Sequence, residues 1–229
     1  MKKAPSLLDQ NIQLLQSYYR FLMLGKYVEH TLLSQDFSKE TKDIQIPTWA
    51  KSHFWIRTIL VKNLLSEMYK NPDKKNIFWY LVEISAFRWI VSSTRELLDN
   101  NKEYHDFVSQ KLKDQYFAFE QIIKLIRNVL SHTTTASINL KPDDFEKQKD
   151  FLVSEKKSII DFTMKYATYF REWKWTSAYW ITIKIDFKKL KNGQKLFEII
   201  PFHQLYLLSE LCYNMSEVFR IQRLKSPKK

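Results

Sequence analysis

Residues 104–130 read YHDFVSQKLKDQYFAFEQIIKLIRNVL, and this stretch decides the fold class. Its apolar side chains recur every three or four positions, which places them on one face of a helix: Leu112, Tyr116, Phe119, Ile122, Ile123, Ile126, Val129 and Leu130. An apolar stripe of this width has to be buried against other elements. The stretch therefore predicts one long core helix and a mainly α-helical fold.

Helical patterns also occupy most of the chain on both sides of this helix. They predict further helices over residues 7–33, 50–70, 77–98, 142–173 and 203–223. The segment 34–48 is polar and ends at a proline, and a Thr-rich segment covers 133–141, so both are expected to be loops. The sequence thus predicts a bundle of about six helices.

One segment near the C-terminus departs from the helical pattern. Residues 178–187 alternate and are rich in aromatic and β-branched side chains, as expected of a β-strand. The sequence Lys191-Asn192-Gly193-Gln194 is a turn signal, and residues 195–200 are expected to return as the partner strand. The expected organisation is one domain over 1–229, with a helical bundle over 1–176, a β-hairpin at 178–200 and a final helix over 201–223.

Composition excludes several classes of site. The chain has 229 residues and a net charge of +12, which favours a polyanionic partner, although 29 lysines against eight arginines also fit a simple compositional bias. Two glycines are too few for the glycine-rich loops that bind phosphates. The single cysteine, Cys212, can form neither an intrachain disulfide nor a thiolate zinc site.

The sequence also bears on location. No apolar stretch reaches the ~20 residues that a membrane span needs. Near the N-terminus, Leu7 and Leu8 are followed at once by Asp9, so the apolar part of a signal peptide is missing. We expect a cytoplasmic protein without a membrane partner.

The one pattern that indicates chemistry is Arg127-Asn128-Val129-Leu130-Ser131-His132, at the end of the predicted core helix. The sequence contains no HExxH, no GxSxG and no cluster of His and Cys. Acidic pairs such as Asp143 with Asp144 lie in or beside polar loops, where solvation is the expected explanation. Candidate catalytic residues are therefore sought in the Arg-Asn-x-x-x-His segment.

This segment resembles the R-x4–6-H motif of the HEPN superfamily, with Arg127 as the arginine, Asn128 as the polar second residue and His132 as the histidine. The resemblance implies an HEPN-like helical bundle with the motif at the end of a late helix. It further implies a metal-independent ribonuclease of the toxin–antitoxin or antiviral kind. Such proteins are commonly homodimers with the two motifs at the subunit cleft, and a separately encoded antitoxin or inhibitor is an expected partner.

In this interpretation the 2′-hydroxyl of RNA attacks the adjacent phosphate, so no metal and no cofactor is needed. His132 is expected to act as general base or acid, Arg127 to stabilise the phosphorane, and Asn128 to orient the histidine or the phosphate. Weaker candidates for RNA binding or support are Ser131, Thr133, Lys124 and Glu83. Glu83 is included because an acid in the apolar third helix could position Arg127 or His132.

Other interpretations remain open at this point. Arg127 and His132 could be ordinary cations that bind the last carbonyls of a helix. The chain could instead be a non-catalytic HEPN-like module that binds nucleic acid, a nucleotide or a partner protein, or a basic helical scaffold. A cluster of aromatic residues and lysines over 173–189 could stack RNA bases, or it could form a core hinge and a partner surface.

Overall fold

The structure is a computed structural model, and it describes residues 6–32, 44–47, 53–56, 59, 63, 66–67, 70–132, 137–170 and 175–225. Its helices are α1 (Leu7–Leu32), α2 (Pro72–Asn100), α3 (Lys102–Leu112), α4 (Tyr116–His132), α5 (Pro142–Ser154), the short α6 (Leu196–Ile199) and α7 (Phe202–Lys225). Its strands are β1 (Ile44–Pro47), β2 (His53–Ile56), β3 (Ile159–Phe170) and β4 (Trp175–Asp186). The prediction of a mainly α fold with about six helices and a β-hairpin before the last helix is confirmed.

Contacts divide the chain into two compact units, one of residues 1–20 with 84–229 and one of residues 21–83. The second unit contains the antiparallel pair of β1 and β2. In the described part of the chain, no helix has the length and apolar character needed to cross a membrane. The expectation of a single domain over 1–229 stays a prediction.

Helix α4 contributes most of the predicted core stripe. All eight stripe residues except Tyr116 are buried, and the five from Ile122 to Leu130 are fully buried. The predicted continuous helix over 104–130 is wrong in one place, because a 3₁₀ turn at Lys113–Gln115 separates α3 from α4. Lys113 has a φ of 52°, which breaks the helix. The sequence pattern does not reveal this break, because Leu112 and Tyr116 keep helical spacing across it.

The predicted helix over 142–173 is too long, and the predicted hairpin over 178–200 is misplaced. Helix α5 ends at Ser154, Lys156 reverses the chain with a φ of 56°, and β3 begins at Ile159. β3 pairs with β4 in an antiparallel register that sets Ile160 opposite Ile185. The hairpin therefore spans Ile159–Asp186, and the sequence pattern predicts only its second strand.

The turn at Lys191–Gln194 exists, but it does not lead into a strand. Residues 196–199 form the short helix α6, and Lys195 makes an isolated bridge with Asn139. Gly193 has a φ of +80°, which explains why glycine is needed in this turn. The final helix predicted over 201–223 is confirmed as α7.

The predicted loop over 34–48 and the predicted helix over 50–70 are each wrong in part. β1 lies in the first segment and pairs with β2 in the second, with Gln45 opposite Trp55. Each strand has only four residues, and such short apolar runs also fit a helix. The other described residues of 50–70 are helical, and the rest of these two segments lies outside the described residues.

The β3–β4 hairpin packs one face against the helices. Phe162 is fully buried, and its ring centroid lies 5.8 Å from that of Phe119 on α4. Gln115 accepts a hydrogen bond from the backbone of Thr163 on β3 (2.9 Å). Tyr166 donates to the carboxylate of Glu210 on α7 (2.9 Å). The hairpin is thus a packed part of the larger unit, which a two-stranded sheet needs for stability.

Buried tyrosine hydroxyls and a buried cysteine thiol are expected to make the fold less stable at high pH. Burial raises the pKa of Cys212 to about 12 from 9.0, raises the pKa of Tyr116 to about 12 from 10.0, and raises that of Tyr104 further. Between pH 9 and 12 the folded chain thus keeps protons that the unfolded chain releases, so the free energy of unfolding is expected to fall with rising pH. Urea midpoints measured at pH 8, 10 and 11 should decrease in that order. Equal midpoints would contradict this expectation.

Candidate active site

The Arg-Asn-x-x-x-His segment forms the last turns of α4, and His132 is the final residue of that helix. Asn128 and His132 are four residues apart, so they share one face of the helix. Both contact the same residue of α5: Asn128 Nδ2 donates to the backbone carbonyl of Asp144 (3.1 Å), and His132 Nδ1 lies 2.7 Å from Asp144 Oδ1. The motif therefore faces the beginning of α5.

Asp144 is a buried carboxylate with two partners. The Asp144 side chain is fully buried, whereas the His132 side chain is 51% exposed. Asp144 Oδ2 accepts a hydrogen bond from the backbone nitrogen of Lys141 (2.8 Å), while Oδ1 faces His132 Nδ1. A carboxylate can only accept here, so Nδ1 carries the proton that is donated. Nε2 is then the ring nitrogen left for chemistry on the exposed side.

Local sequence explains why a carboxylate is stable in this position. Pro142 opens α5 and Lys141 is its N-cap residue, which makes Asp144 the third residue of the helix. There its side chain satisfies a backbone N–H that the first turn leaves unpaired, and its charge is favoured by the helix dipole. Burial of this charge is therefore compensated by hydrogen bonds on both oxygens.

A second polar contact fixes α5 along α4. Gln148 Nε2 donates to the backbone carbonyl and to the side-chain oxygen of Gln121, both at 2.9 Å, and both side chains are buried. Contacts between Asn128 and Asp144 and between Gln121 and Gln148 show that the two helices are antiparallel. This arrangement sets the C-terminus of α4 beside the N-terminus of α5, where the site lies.

Arg127 lies on the exposed side of the motif. Its Nη1 donates to Asn128 Oδ1 at 3.4 Å, a long hydrogen bond, and no carboxylate among the described residues pairs with it. Asn128 thus links the guanidinium to the residue that holds His132. An exposed arginine without an acidic partner is available to bind a phosphate.

Lys141 completes the end of α4. Its Nζ donates to the backbone carbonyl of His132 (3.2 Å), as expected of a cation at a helix C-terminus. The His132 ring contacts Asp144 instead of a carbonyl. The simple helix-capping role considered for His132 is thus filled by Lys141.

The weaker candidates divide into three groups. Ser131 is exposed and Lys124 is half-buried on α4, so both lie on the helix that carries the motif. Glu83 is buried and accepts a hydrogen bond from Lys26 (2.7 Å) within residues 21–83. Thr133 lies outside the described residues.

Asp144 is the residue that sequence reasoning missed. The pair Asp143–Asp144 was expected to be solvated, and this is true of Asp143 but wrong for Asp144, which is buried against His132. The available signal was its position, because an acid three residues after an N-cap can bond back to the cap. That signal predicts the bond to Lys141, but it does not reveal the contact with α4.

The described residues contain no group of three or more His, Cys, Asp or Glu side chains placed to hold a metal ion. The cluster of aromatic residues and lysines over 173–189 includes Trp180, which is 60% exposed. Lys165 Nζ lies 5.7 Å from the centroid of the Trp180 ring. Residues 173–174 of that cluster lie outside the described part.

Comparisons of the chain with protein-family models, with curated proteins and with solved structures gave no match. The class of site therefore follows from its geometry alone: an exposed imidazole oriented by a buried carboxylate, beside an exposed guanidinium at a helix end.

Proposed function

We propose that the protein is a metal-independent endoribonuclease of HEPN type. The observation that carries this proposal is the contact of 2.7 Å between His132 Nδ1 and the buried Asp144. A carboxylate at one ring nitrogen fixes the tautomer and orientation of an imidazole, which leaves the other nitrogen for proton transfer.

The reaction is a transesterification within the RNA strand. His132 Nε2 takes the proton of a 2′-hydroxyl, and the resulting oxygen forms a bond to the adjacent phosphorus. Arg127 binds the phosphate oxygens, where negative charge develops. The bond to the 5′-oxygen of the next nucleotide breaks, and that oxygen takes up a proton. The products are a 2′,3′-cyclic phosphate and a 5′-hydroxyl end.

A homodimer would supply the second proton-transfer group. One chain offers a single His132, whereas the reaction has one proton to remove and one to donate. In a dimer with the two motifs at the subunit cleft, His132 of the other copy donates to the leaving oxygen. We propose a toxin or antiviral effector that acts in the cytoplasm and is restrained by a separately encoded inhibitor, in line with the resemblance.

RNA cleavage in the presence of EDTA tests the proposal. We expect wild-type protein to yield cyclic-phosphate ends, and His132→Ala and Arg127→Ala each to lower the single-turnover rate by about 10²-fold or more. His105→Ala is the matched control, because His105 is also partly exposed but lies on α3, where its ring contacts Asp106. It should cleave at the wild-type rate.

The same experiment also distinguishes a nuclease from a non-catalytic binding module. RNA binding without cleavage, unchanged in the His132 and Arg127 variants, would overturn the nuclease proposal and favour a non-catalytic binding module. Absence of both binding and cleavage would exclude RNA as the ligand.

A further inference from the structure

A short ladder joins the turn before α6 to the loop before α5. Asn139 and Lys195 lie opposite each other in an antiparallel bridge. Next to them, Leu140 N donates to Gln194 O (2.9 Å), and Gly193 N donates to Leu140 O (2.8 Å). These bonds fix the turn at Lys191–Gln194 against the segment that leads into the candidate site.

The two faces of this ladder differ in character. Alternate residues point to opposite sides of paired extended segments. One side is buried and apolar, formed by Ile138, Leu140 and Leu196. The other side, which we call the outer ladder face, consists of Asn139, Lys141 and Lys195, of which the last two are exposed. Lys141 and Lys195 therefore lie on the same surface.

The outer ladder face adjoins the candidate catalytic histidine. Lys141 Nζ is 3.2 Å from the backbone carbonyl of His132. Gly193 N donates to Leu140 O, so Gly193 lies beside the residue that precedes Lys141. A Cβ added to Gly193 would meet no atom within 4 Å, so the space over this glycine is open.

The charge of these segments fits a polyanion. The segments 137–143 and 191–195 contain three lysines, Lys141, Lys191 and Lys195, and one acid, Asp143. Arg127 adds a further exposed cation on α4. The cleavage chemistry needs a strand whose 2′-hydroxyl can align with the phosphorus, and a single strand has this freedom.

We propose that the outer ladder face, through Lys195 and Lys141, binds phosphates of single-stranded RNA that flank the cleaved bond. This inference rests on the proposed function, because it assigns a substrate path to the same site. The contacts of the ladder fix the backbone of both lysines. Their flexible side chains then present ammonium groups that act as point charges for phosphate.

The test uses a short single-stranded RNA with 2′-O-methyl groups, which can bind but cannot be cleaved. Its Kd is measured by fluorescence anisotropy over a range of KCl concentrations. Lys195→Gln should weaken binding by about threefold to tenfold at moderate salt, and should lower the slope of log Kd against log salt by about 0.7. Lys141→Gln should have a similar effect, and Lys195→Arg should retain the wild-type affinity.

A matched control removes two charges elsewhere on the same unit. Lys102 and Lys111 are exposed in the first and last turns of α3, outside the ladder. Lys102→Gln combined with Lys111→Gln should leave the Kd within about twofold of wild type. Equal weakening by Lys195→Gln and by this control would overturn the inference, since it would show a general effect of net charge.

The outcomes separate this inference from the nuclease proposal. Cleavage by the wild type with no effect of Lys195→Gln on Kd or KM would overturn the inference and leave the nuclease intact. Binding that depends on Lys195 without any cleavage of natural RNA would support the surface and overturn the nuclease. No binding of the 2′-O-methyl strand would overturn the inference, whatever the cleavage result.

Discussion

Asp144→Asn is expected to reduce the single-turnover rate of RNA cleavage by about 10²-fold or more, although Asp144 itself need not touch RNA. The wild-type carboxylate accepts from two donors, the Lys141 backbone N–H through Oδ2 and the His132 ring through Oδ1. An asparagine offers one oxygen and one NH₂ group. It must therefore either lose the bond to Lys141 or face His132 with a donor.

The second alternative is the one that removes activity. A donor at Nδ1 favours the tautomer that carries its proton on Nε2, so the exposed nitrogen can no longer act as a base. The ¹⁵N chemical shifts of the His132 ring report the tautomer directly. We expect them to show Nδ1–H in the wild type and a shifted population in Asp144→Asn.

Asp143→Asn is the control for this prediction. Asp143 precedes Asp144 in the first turn of α5, has the same charge, and is exposed. Its substitution should leave cleavage and the ring tautomer unchanged. Equal activity of the two variants, with both folded, would contradict the positioning role of Asp144.

Phe162→Ala is expected to lower the free energy of unfolding by about 3–5 kcal/mol. Phe162 is fully buried on the inner face of β3, and its ring lies against Phe119 of α4. Truncation removes an aromatic side chain from the contact between hairpin and helix, and it leaves a cavity there. The loss is measured as the change in the urea midpoint at a constant m-value.

The opposite face of the same hairpin provides the control. Trp180 is larger than Phe162, but it is 60% exposed and lies opposite Lys165 in the register. Trp180→Ala should change the free energy of unfolding by less than about 1 kcal/mol. A larger loss from Trp180→Ala than from Phe162→Ala would mean that the hairpin buries its other face.

The helices that could be predicted are those with a strong apolar stripe. In α1, the residues Ile12, Leu15, Tyr19 and Leu22 have helical spacing in the sequence and are buried in the structure. In α4 the stripe is wider, and it fixes both the helix and the face that is buried. Burial of such a stripe outweighs local preferences, so the pattern is sufficient.

The errors occur where the deciding interaction is distant or depends on one backbone angle. The end of α5 depends on Lys156 at positive φ, and nothing in a lysine indicates this conformation. The stretch from Ile160 to Tyr166 alternates as a strand, but it directly follows a helical pattern and its partner is β4. The alternation is itself a signal for a strand, and the predicted helix over 142–173 does not take it into account.

The residues of the candidate site also divide into those that the sequence predicts and one that it does not. Arg127, Asn128 and His132 could be found from their spacing, since one helix positions all three. Asp144 could not, because its burial results from the packing of α5 on α4. The sequence contains the acid and its cap position, but only the packed helices show which side chain it holds.

The polar contacts between α4 and α5 also have a kinetic consequence. They join residues that are 12, 16 and 27 positions apart, namely His132 with Asp144, Asn128 with Asp144, and Gln121 with Gln148. Closing such short loops costs little chain entropy, and local contacts of this kind form rapidly. The polar geometry of the candidate site thus depends on contacts within one pair of helices, α4 and α5, that are neighbours in the sequence.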